Sequence, residues 1–462
     1  MDPLIGGTDR FARLVPLLQC PACCGPLRFE GANAGASLGV FGVLCCSCSE
    51  YPVVDSIPIF LSRRISVYEH TTGRAETEGV SPKAILGLIR SGQCRQALVE
   101  CLTMPLPGGL FDRLPFWSFW HGPLIRNIGR RLRRFQLNRQ LNQPNSLQTA
   151  KVWLGVFFGK YSPAGGDLFS YFFYRFGQPR DVAALTLLSV FRPAAKPILD
   201  FACGFGHLSH YLTSGLEAHD VIGADLNFFT IWAARRTVAP RASFVCAEAD
   251  RPLPFRNAAF SGVLCSDAFH YFADKQLAIS EFRRCTDAGP LILTRVGNSL
   301  ILPNEGKELS PEKYAELLGP VRTSVFGEAE LINRYQSRQS PAFDRDRTPN
   351  ECDNDKWLSF VQLPDQYPSP VRQVAEWPHR AGAPRINPIY LQTPRPDGGC
   401  QLRLTFPSTW YAAENGSMLA YLPREVSLTA EDVQAVHSGQ PSSTIDRLID
   451  AFVLWGMPEN YG

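Results

Sequence analysis

The chain has 462 residues, of which 45% are hydrophobic and 19% charged, and its net charge is +3. That length exceeds one ordinary core and predicts two or three domains, while so small a net charge gives no global field that would argue for nucleic acid. No apolar run nears the roughly 20 residues of a membrane-spanning helix, and the first residues lack the basic, apolar and small-residue succession of a secretory signal.

Six of the fourteen cysteines fall within residues 20–48. With no secretory signal, a cytoplasmic protein with reduced or metal-bound thiols is expected, and no membrane partner. Cys20 and Cys23 form one C-x-x-C in "CPACCGPL", and Cys45 and Cys48 form another in "CCSC". Two such pairs, each on a tight turn, give four thiolates and a closed tetrahedral zinc site. Such a site is structural, because no position is left for water. Cys24 and Cys46 each adjoin a chosen ligand and could take its place. The flanks, "LLQCPACCGPLRF" and "CCSCSEYPVVDSIPIFL", resemble the zinc-ribbon family of the small activator subunit of tRNA and protein methyltransferases. The resemblance covers residues 14–62, with Ser56 where the family has glycine.

Residues 81–103 begin Ser-Pro and repeat apolar residues at helical spacing, which predicts one or two helices. An aromatic stretch, "FWSFWHG", follows, with His121 read as a packing or capping residue. Residues 121–140 carry six arginines (126, 130, 131, 133, 134 and 139) and no acid. Such a helix either grips phosphate or is a solvated, ion-paired face. Residues 168–190 add an aromatic helix around Tyr171, Tyr174 and Arg175. The helical region as a whole is set at 81–190.

"ILDFACGFGHLSHYL", residues 198–212, reads as strand, glycine turn and helix. A phosphate-binding loop needs Lys-Ser/Thr after its last glycine, and His207-Leu208 stands there instead. A dinucleotide turn needs a third glycine, and Ser209 occupies that place. S-adenosylmethionine carries an amino-acid head and a ribose rather than a phosphate. It needs close backbone approach, offered by Gly204 and Gly206 next to Ala202, and an acid at the strand end, Asp200. A second strand ends at Asp225, followed by Leu226, where a carboxylate can take the ribose hydroxyls. A third strand ends near Glu248 and Asp250, with Asp250 facing the adenine amine, and a fourth ends at Ser266.

The stretches "LDFACGFG", "GADLN", "AEADRPLPF", "AFSGVLCSDAFHYF" and "EFRRCTDAGPLIL" occur in order. Together they resemble a class I S-adenosylmethionine-dependent methyltransferase of the ubiquinone-biosynthesis type, over residues 198–296. The resemblance implies an α/β fold: a Rossmann-like seven-stranded methyltransferase sheet over residues 191–362, closed by an antiparallel hairpin. It also implies a lid over the cofactor at residues 168–190. With these come the N-terminal zinc ribbon, the helical linker and lid region, and a C-terminal α+β appendage, residues 363–462. That last segment is read as capping the substrate or forming an oligomer.

Methyl transfer needs alignment, plus a base where the acceptor is neutral. Asp267, His270 and Tyr271 follow the fourth strand, and His270 has the best intrinsic pKa for the task. A small-molecule acceptor is favoured. The alternatives are an RNA methyltransferase using the ribbon and the arginine helix, or a non-catalytic scaffold that keeps only the fold.

Overall fold

The computed structural model describes residues 5–33, 38–65, 79–103, 122–144, 147–158, 163–215, 219–286, 288–302, 308–343, 348–365, 367 and 378–462. The "FWSFWHG" stretch up to His121 lies outside the described residues, as does the Arg126 side chain.

After helix α1 (Ile5–Leu14) come four strands: β1 (Arg28–Ala32), β2 (Phe41–Cys45), β3 (Glu50–Val54) and β4 (Ile57–Phe60). Among the described residues six helices and the start of the central sheet follow: α2 (Pro82–Arg90), α3 (Cys94–Leu102), α4 (Gly122–Leu141), α5 (Ala150–Phe158), α6 (Pro163–Phe173) and α7 (Pro179–Leu187) precede β5 (Ile198–Phe201) and α8 (His207–Ser214). Then come β6 (Val221–Asp225), α9 (Phe228–Ala233), β7 (Ser243–Ala247), β8 (Gly262–Ser266), α10 (Lys275–Cys285), β9 (Leu291–Gly297), α11 (Pro311–Leu318), β10 (Thr323–Gly327), α12 (Glu328–Gln336) and β11 (Trp357–Gln362). The C-terminal segment holds β12 (Ala383–Ile386), β13 (Tyr390–Pro394), β14 (Cys400–Leu404), α13 (Thr409–Asn415), β15 (Glu425–Leu428), α14 (Ala430–Ser438), α15 (Ser443–Asp450) and β16 (Leu454–Met457).

Local sequence accounts for many of these boundaries. Ser81 caps α2 by accepting from the Ala84 amide, with Pro82 at the first position. Gly92, at φ +75°, then ends that helix, so residues 81–103 form two helices. Strands β5, β6 and β8 are buried along their whole length. They therefore read as continuous apolar runs, as parallel strands covered on both faces do.

The sheet corrects the expected strand count. It has eleven strands in the order β1-β2-β3-β4-β7-β6-β5-β8-β9-β11-β10. Seven of these, β5 to β11, are the predicted sheet, with β11 antiparallel to both β9 and β10. The other four are the N-terminal ribbon. Its last strand, β4, pairs in parallel with β7 through Ile59–Cys246 and Phe60–Ala247. A bare β7 edge would present unpaired amides and carbonyls, and the ribbon covers it. Asp55, in the β3–β4 turn, fixes the junction. Its buried carboxylate accepts from Trp232 Nε1 at 2.8 Å and pairs with Arg235 at 2.8 Å and Arg236 at 3.3 Å. Asp55 and Ser56 both have positive φ, +49° and +66°. This is the two-residue hairpin turn that usually takes glycine. Ser56 compensates by accepting from the Val40 amide through Oγ.

The C-terminal segment is α+β, with a three-stranded antiparallel sheet (β13-β14-β15) and a β12–β16 pair. It shares a hydrophobic core with the helices before β5: Trp455, Tyr411 and Tyr461 are buried there beside Phe172, Phe173 and Phe176. Tyr461 Oη lies 3.1 Å from His207 Nε2 and donates to the Phe172 and Phe173 carbonyls.

Candidate active site and metal centre

Asp200 is the penultimate residue of strand β5, which ends at Phe201, and the chain then turns through Ala202, Gly204 and Gly206 at φ +57°, +55° and +74°. Gly206 starts α8, and a Cβ there would lie 3.1 Å from Ala234 Cβ. Its role is to make the turn, and it does not line the cavity. Asp225, at the end of β6, accepts from the Gly204 amide at 2.9 Å and from the Asn227 amide at 2.8 Å. The carboxylate thus ties the glycine turn to the second strand. Burial raises the Asp225 pKa, with those amides pulling the other way. Asp200 accepts from Ser209 Oγ at 2.6 Å, and burial pushes it up to about 7.

Asp200, Ala202, Gly204, Asp225 and Asn227 line one end of a cavity of about 660 Å³. Leu226, Asp250 and Ser266 line it too. Asp250 Oδ1 accepts from the Ala273 and Asp274 amides at 2.8 and 3.2 Å. Ser266 Oγ and Asn227 Oδ1 are buried with no hydrogen-bond partner among the described residues. Both belong to residues of the cavity wall, where a ligand can satisfy them. Glu248 is a correction. Its carboxylate points to the end of the ribbon, accepting from Ser62 N, Ser62 Oγ and Arg63 Nε at 2.8, 2.6 and 3.0 Å. It does not line the cavity, and Arg63 does.

At the other end stand the three residues predicted as bases. Asp267 is not one. Tyr171 Oη donates to it at 2.7 Å, and Arg175, Arg180 and Arg295 reach it at 3.3, 2.8 and 2.7 Å. Burial opposes its charge, but the three guanidiniums hold its carboxyl well below the usual range. A carboxylate so stabilised takes up no proton near neutral pH. Tyr271 is half-exposed, and partial burial raises its phenol above the ordinary value, so it is no phenolate base. His270 is buried, with its ring 4.0 Å from Tyr271 and 6.0 Å from Trp357. It lines the cavity wall.

Sequence reasoning missed Arg180, Arg295, Trp357, Trp410 and Glu414, all at this wall. Arg295 stacks 3.8 Å over the Trp357 ring and pairs with Glu328 at 3.0 Å. Only the positive charge inside the apolar run "LILTRV" hinted at it. Trp410 and Glu414 come from α13, and no sequence signal connects them to the glycine turn.

The ribbon gathers Cys20, Cys23, Cys46 and Cys48, with all four Sγ atoms within 4.8 Å of one another. The separations Cys20–Cys48, Cys23–Cys46 and Cys46–Cys48 are 3.6, 3.8 and 3.4 Å. Zn–S bonds of about 2.3 Å at the tetrahedral angle place sulfurs about 3.8 Å apart, so the donor set suits zinc. Cys45 is a correction. It ends β2 opposite Arg28 and donates to the Arg28 carbonyl. Side chains alternate along a strand, which turns Cys45 away from the cluster. The turn closed by Cys46 N and the Ser49 carbonyl leaves Cys46 and Cys48 on the cluster side. Burial works to raise the Cys20 thiol, yet hydrogen bonds from Tyr51 and backbone amides bring it down to about 6.

No curated protein matches the sequence. Among solved structures, a TehB-like methyltransferase from Corynebacterium glutamicum is 18% identical, over 40% of this chain and 87% of its own, at a TM-score of 0.29. The complex of the Haloferax volcanii Trm112 methyltransferase activator with a putative methyltransferase matches at 17% identity, over 40% and 88% of the two chains, with a TM-score of 0.31. Haemonchus contortus phosphoethanolamine N-methyltransferase 2 matches at 17% identity, over 47% and 61%, with a TM-score of 0.32. Residues 198–289 match the family described as "Methyltransferase domain". That span runs from β5 to just before β9 and contains the glycine turn, Asp225 and Asp250, so the chain carries a methyltransferase domain at its centre.

Proposed function

We propose that the chain methylates a small-molecule acceptor, using S-adenosylmethionine, and that zinc on Cys20, Cys23, Cys46 and Cys48 holds its ribbon together. The observation that carries this reading is the cavity. One end has the glycine turn and the acids of the methyltransferase domain, and the other is walled by side chains from as far away as Trp410 and Glu414. A wall drawn from the C-terminal segment encloses an acceptor on several sides, which suits a small molecule.

When bound, S-adenosylmethionine supplies a methyl group on a sulfonium, already activated for in-line displacement. The orphaned Ser266 Oγ and Asn227 Oδ1 and the tight Gly204 turn fit such a group. Asp225 would take the ribose hydroxyls, Asp250 the adenine amine, and the turn with Asp200 the amino-acid head. Aromatic and guanidinium groups at the far wall orient the acceptor. His270 receives the acceptor's proton where one must leave. Asp267 takes no part in proton transfer; it positions Arg175, Arg180 and Arg295.

The RNA reading loses two of its arginines. Arg133 donates to the Val156 and Phe157 carbonyls from a buried position, and Arg134 pairs with Glu100 at 2.7 Å.

Calorimetry with S-adenosylhomocysteine tests the cofactor. Binding is expected for the intact protein, with Asp225→Ala weakening it at least tenfold, roughly the loss of one charge-assisted hydrogen-bonding partner. No binding to the intact protein would leave a scaffold that keeps only the fold. Tritiated methyl transfer into a fractionated cell extract tests the acceptor. Label in small molecules is expected, and label confined to RNA would overturn the reading.

A further inference from the structure

Helix α4 has two unlike faces. One is turned inward, with Leu137 and Arg133 buried and Arg134 held by Glu100. The other carries Arg131, Leu132, Phe135 and Arg139, which fall within an arc of about 100° at 3.6 residues per turn. All four are exposed. Phe135 is 70% and Leu132 64% exposed, the two highest values among the exposed large hydrophobic side chains. Leu147, 55% exposed, lies beyond the helix end, where its carbonyl accepts from Gln140 Nε2. Two large apolar side chains between two arginines are not a solvated face, nor do they form a core.

The surrounding charge is lopsided. Residues 113–166 contain nine Lys and Arg and no Asp or Glu. The whole chain is +3, so this stretch contributes +9 and the remainder carries −6. Along the sequence, the positive charge is concentrated in the segment that includes α4.

We infer that the outer face of α4 docks on an anionic lipid bilayer, lying in the interface with Leu132 and Phe135 among the acyl chains and Arg131 and Arg139 against lipid phosphates. Among the described residues no helix is long and apolar enough to cross a membrane, so the contact is peripheral. The bilayer is the occupant that uses both halves of the patch. A nucleic-acid backbone takes the arginines but offers nothing to Phe135 and Leu132, and it needs many phosphate contacts for affinity. Only Arg131 and Arg139 of the arginines in this arc are exposed. An acidic bilayer attracts the basic stretch at long range and then accepts the apolar side chains. The inference is independent of the proposed acceptor.

Flotation of the full chain with vesicles tests it, using phosphatidylcholine alone and phosphatidylcholine mixed with phosphatidylglycerol. Binding to the mixed vesicles is expected, weaker as salt rises, and little to the neutral ones. Each arginine at an acidic surface is worth roughly fivefold in partitioning. Arg131→Ser with Arg139→Ser should therefore lower binding by about tenfold or more. Leu132→Ser with Phe135→Ser should lower it by at least about tenfold, since each removes a buried apolar group. All four side chains are exposed, so the fold is expected to survive, and unchanged circular dichroism and cofactor binding would verify it. No binding to either vesicle at low salt would overturn the inference, as would equal binding by the apolar double variant. Salt-sensitive binding to structured RNA with no vesicle binding would assign the face to nucleic acid instead. A lipid-free dimer abolished by the Leu132/Phe135 variant would assign it to a second copy.

Discussion

Replacing Asp267 with asparagine separates two roles for this carboxylate. It accepts from Tyr171 Oη and from Arg175, Arg180 and Arg295 within 2.7–3.3 Å, and its side chain is 6% exposed. Asparagine keeps the shape but removes the charge and turns an amide N–H₂ toward a guanidinium. Three buried cations would then share Glu328, 3.0 Å from Arg295, and Glu414, 3.7 and 4.0 Å from Arg295 and Arg180. The two Glu414 distances are too long for hydrogen bonds. Removing one partner of a buried ion cluster costs about 3–5 kcal/mol. At about 1 °C per kcal/mol for a chain of this length, melting should fall by about 3–5 °C. Differential scanning fluorimetry at neutral pH measures this directly. A loss under about 1 kcal/mol, the worth of an exposed ion pair, would show that water already screens the arginines and would refute the positioning role. An unchanged melting temperature with a collapsed kcat would instead make Asp267 the base. The carboxyl's folded pKa lies well below its unfolded one. Its stabilisation is therefore present above the ordinary carboxylate pKa and lost only as pH falls through the depressed value. No step from Asp267 is expected in a neutral pH–rate profile.

Elemental analysis should find one zinc per chain, retained in Cys45→Ser and lost in Cys46→Ser; the reverse pattern would restore Cys45 as the ligand. Asp181 is buried with neither oxygen hydrogen-bonded among the described residues, and burial pushes it up to about 7 against the pull of Arg175 and Arg180. Between about pH 4 and 7 the unfolded chain releases this proton and the folded chain keeps it. Stability therefore falls as pH rises through that window, by up to about 4 kcal/mol at 1.36 kcal/mol per pKa unit. Asp181→Asn should flatten that slope in urea unfolding at pH 5 and pH 8, and equal slopes in both proteins would remove the argument.

The sequence carried the central sheet well because parallel strands buried on both faces are apolar runs, and each run here has a polar residue at or one before its end: Asp200, Asp225 or Ser266. A strand end is where side chain and backbone both reach the ligand cavity, so one pattern revealed both fold and site. Glu248 fits the same pattern, but there the neighbouring strand is β4, whose following residues Ser62 and Arg63 claim the carboxylate. No reading of one strand end alone reveals its neighbour. The cysteine ligands show the opposite limit. Spacing favoured Cys45, and the alternation of β2 favoured Cys46, because that strand runs one residue into the motif. Arg180, Arg295, Trp410 and Glu414 were illegible for a third reason. They meet only in the folded chain, and Arg295 is buried among partners 28, 33 and 119 residues away in sequence, Asp267, Glu328 and Glu414.

These distances bear on why the flanking segments are there. The seven strands β5 to β11 would, alone, leave β7 as an open edge and the cavity without its far wall. The ribbon meets the first need through β4 and, by way of Arg63, reaches the cavity lining as well. The C-terminal segment meets the second through Trp410 and Glu414, and Tyr461 fixes it to the α6 carbonyls beside the glycine turn. Each flank thus has one contact with the fold's stability and one with the cavity. A ribbon acting only as a docking module would have no reason to supply a cavity residue, and a tail acting only as an oligomerisation arm would have no reason to bury Trp455, Tyr411 and Tyr461 in the shared core. The placement of these side chains favours flanks that complete both the fold and the far wall of the cavity.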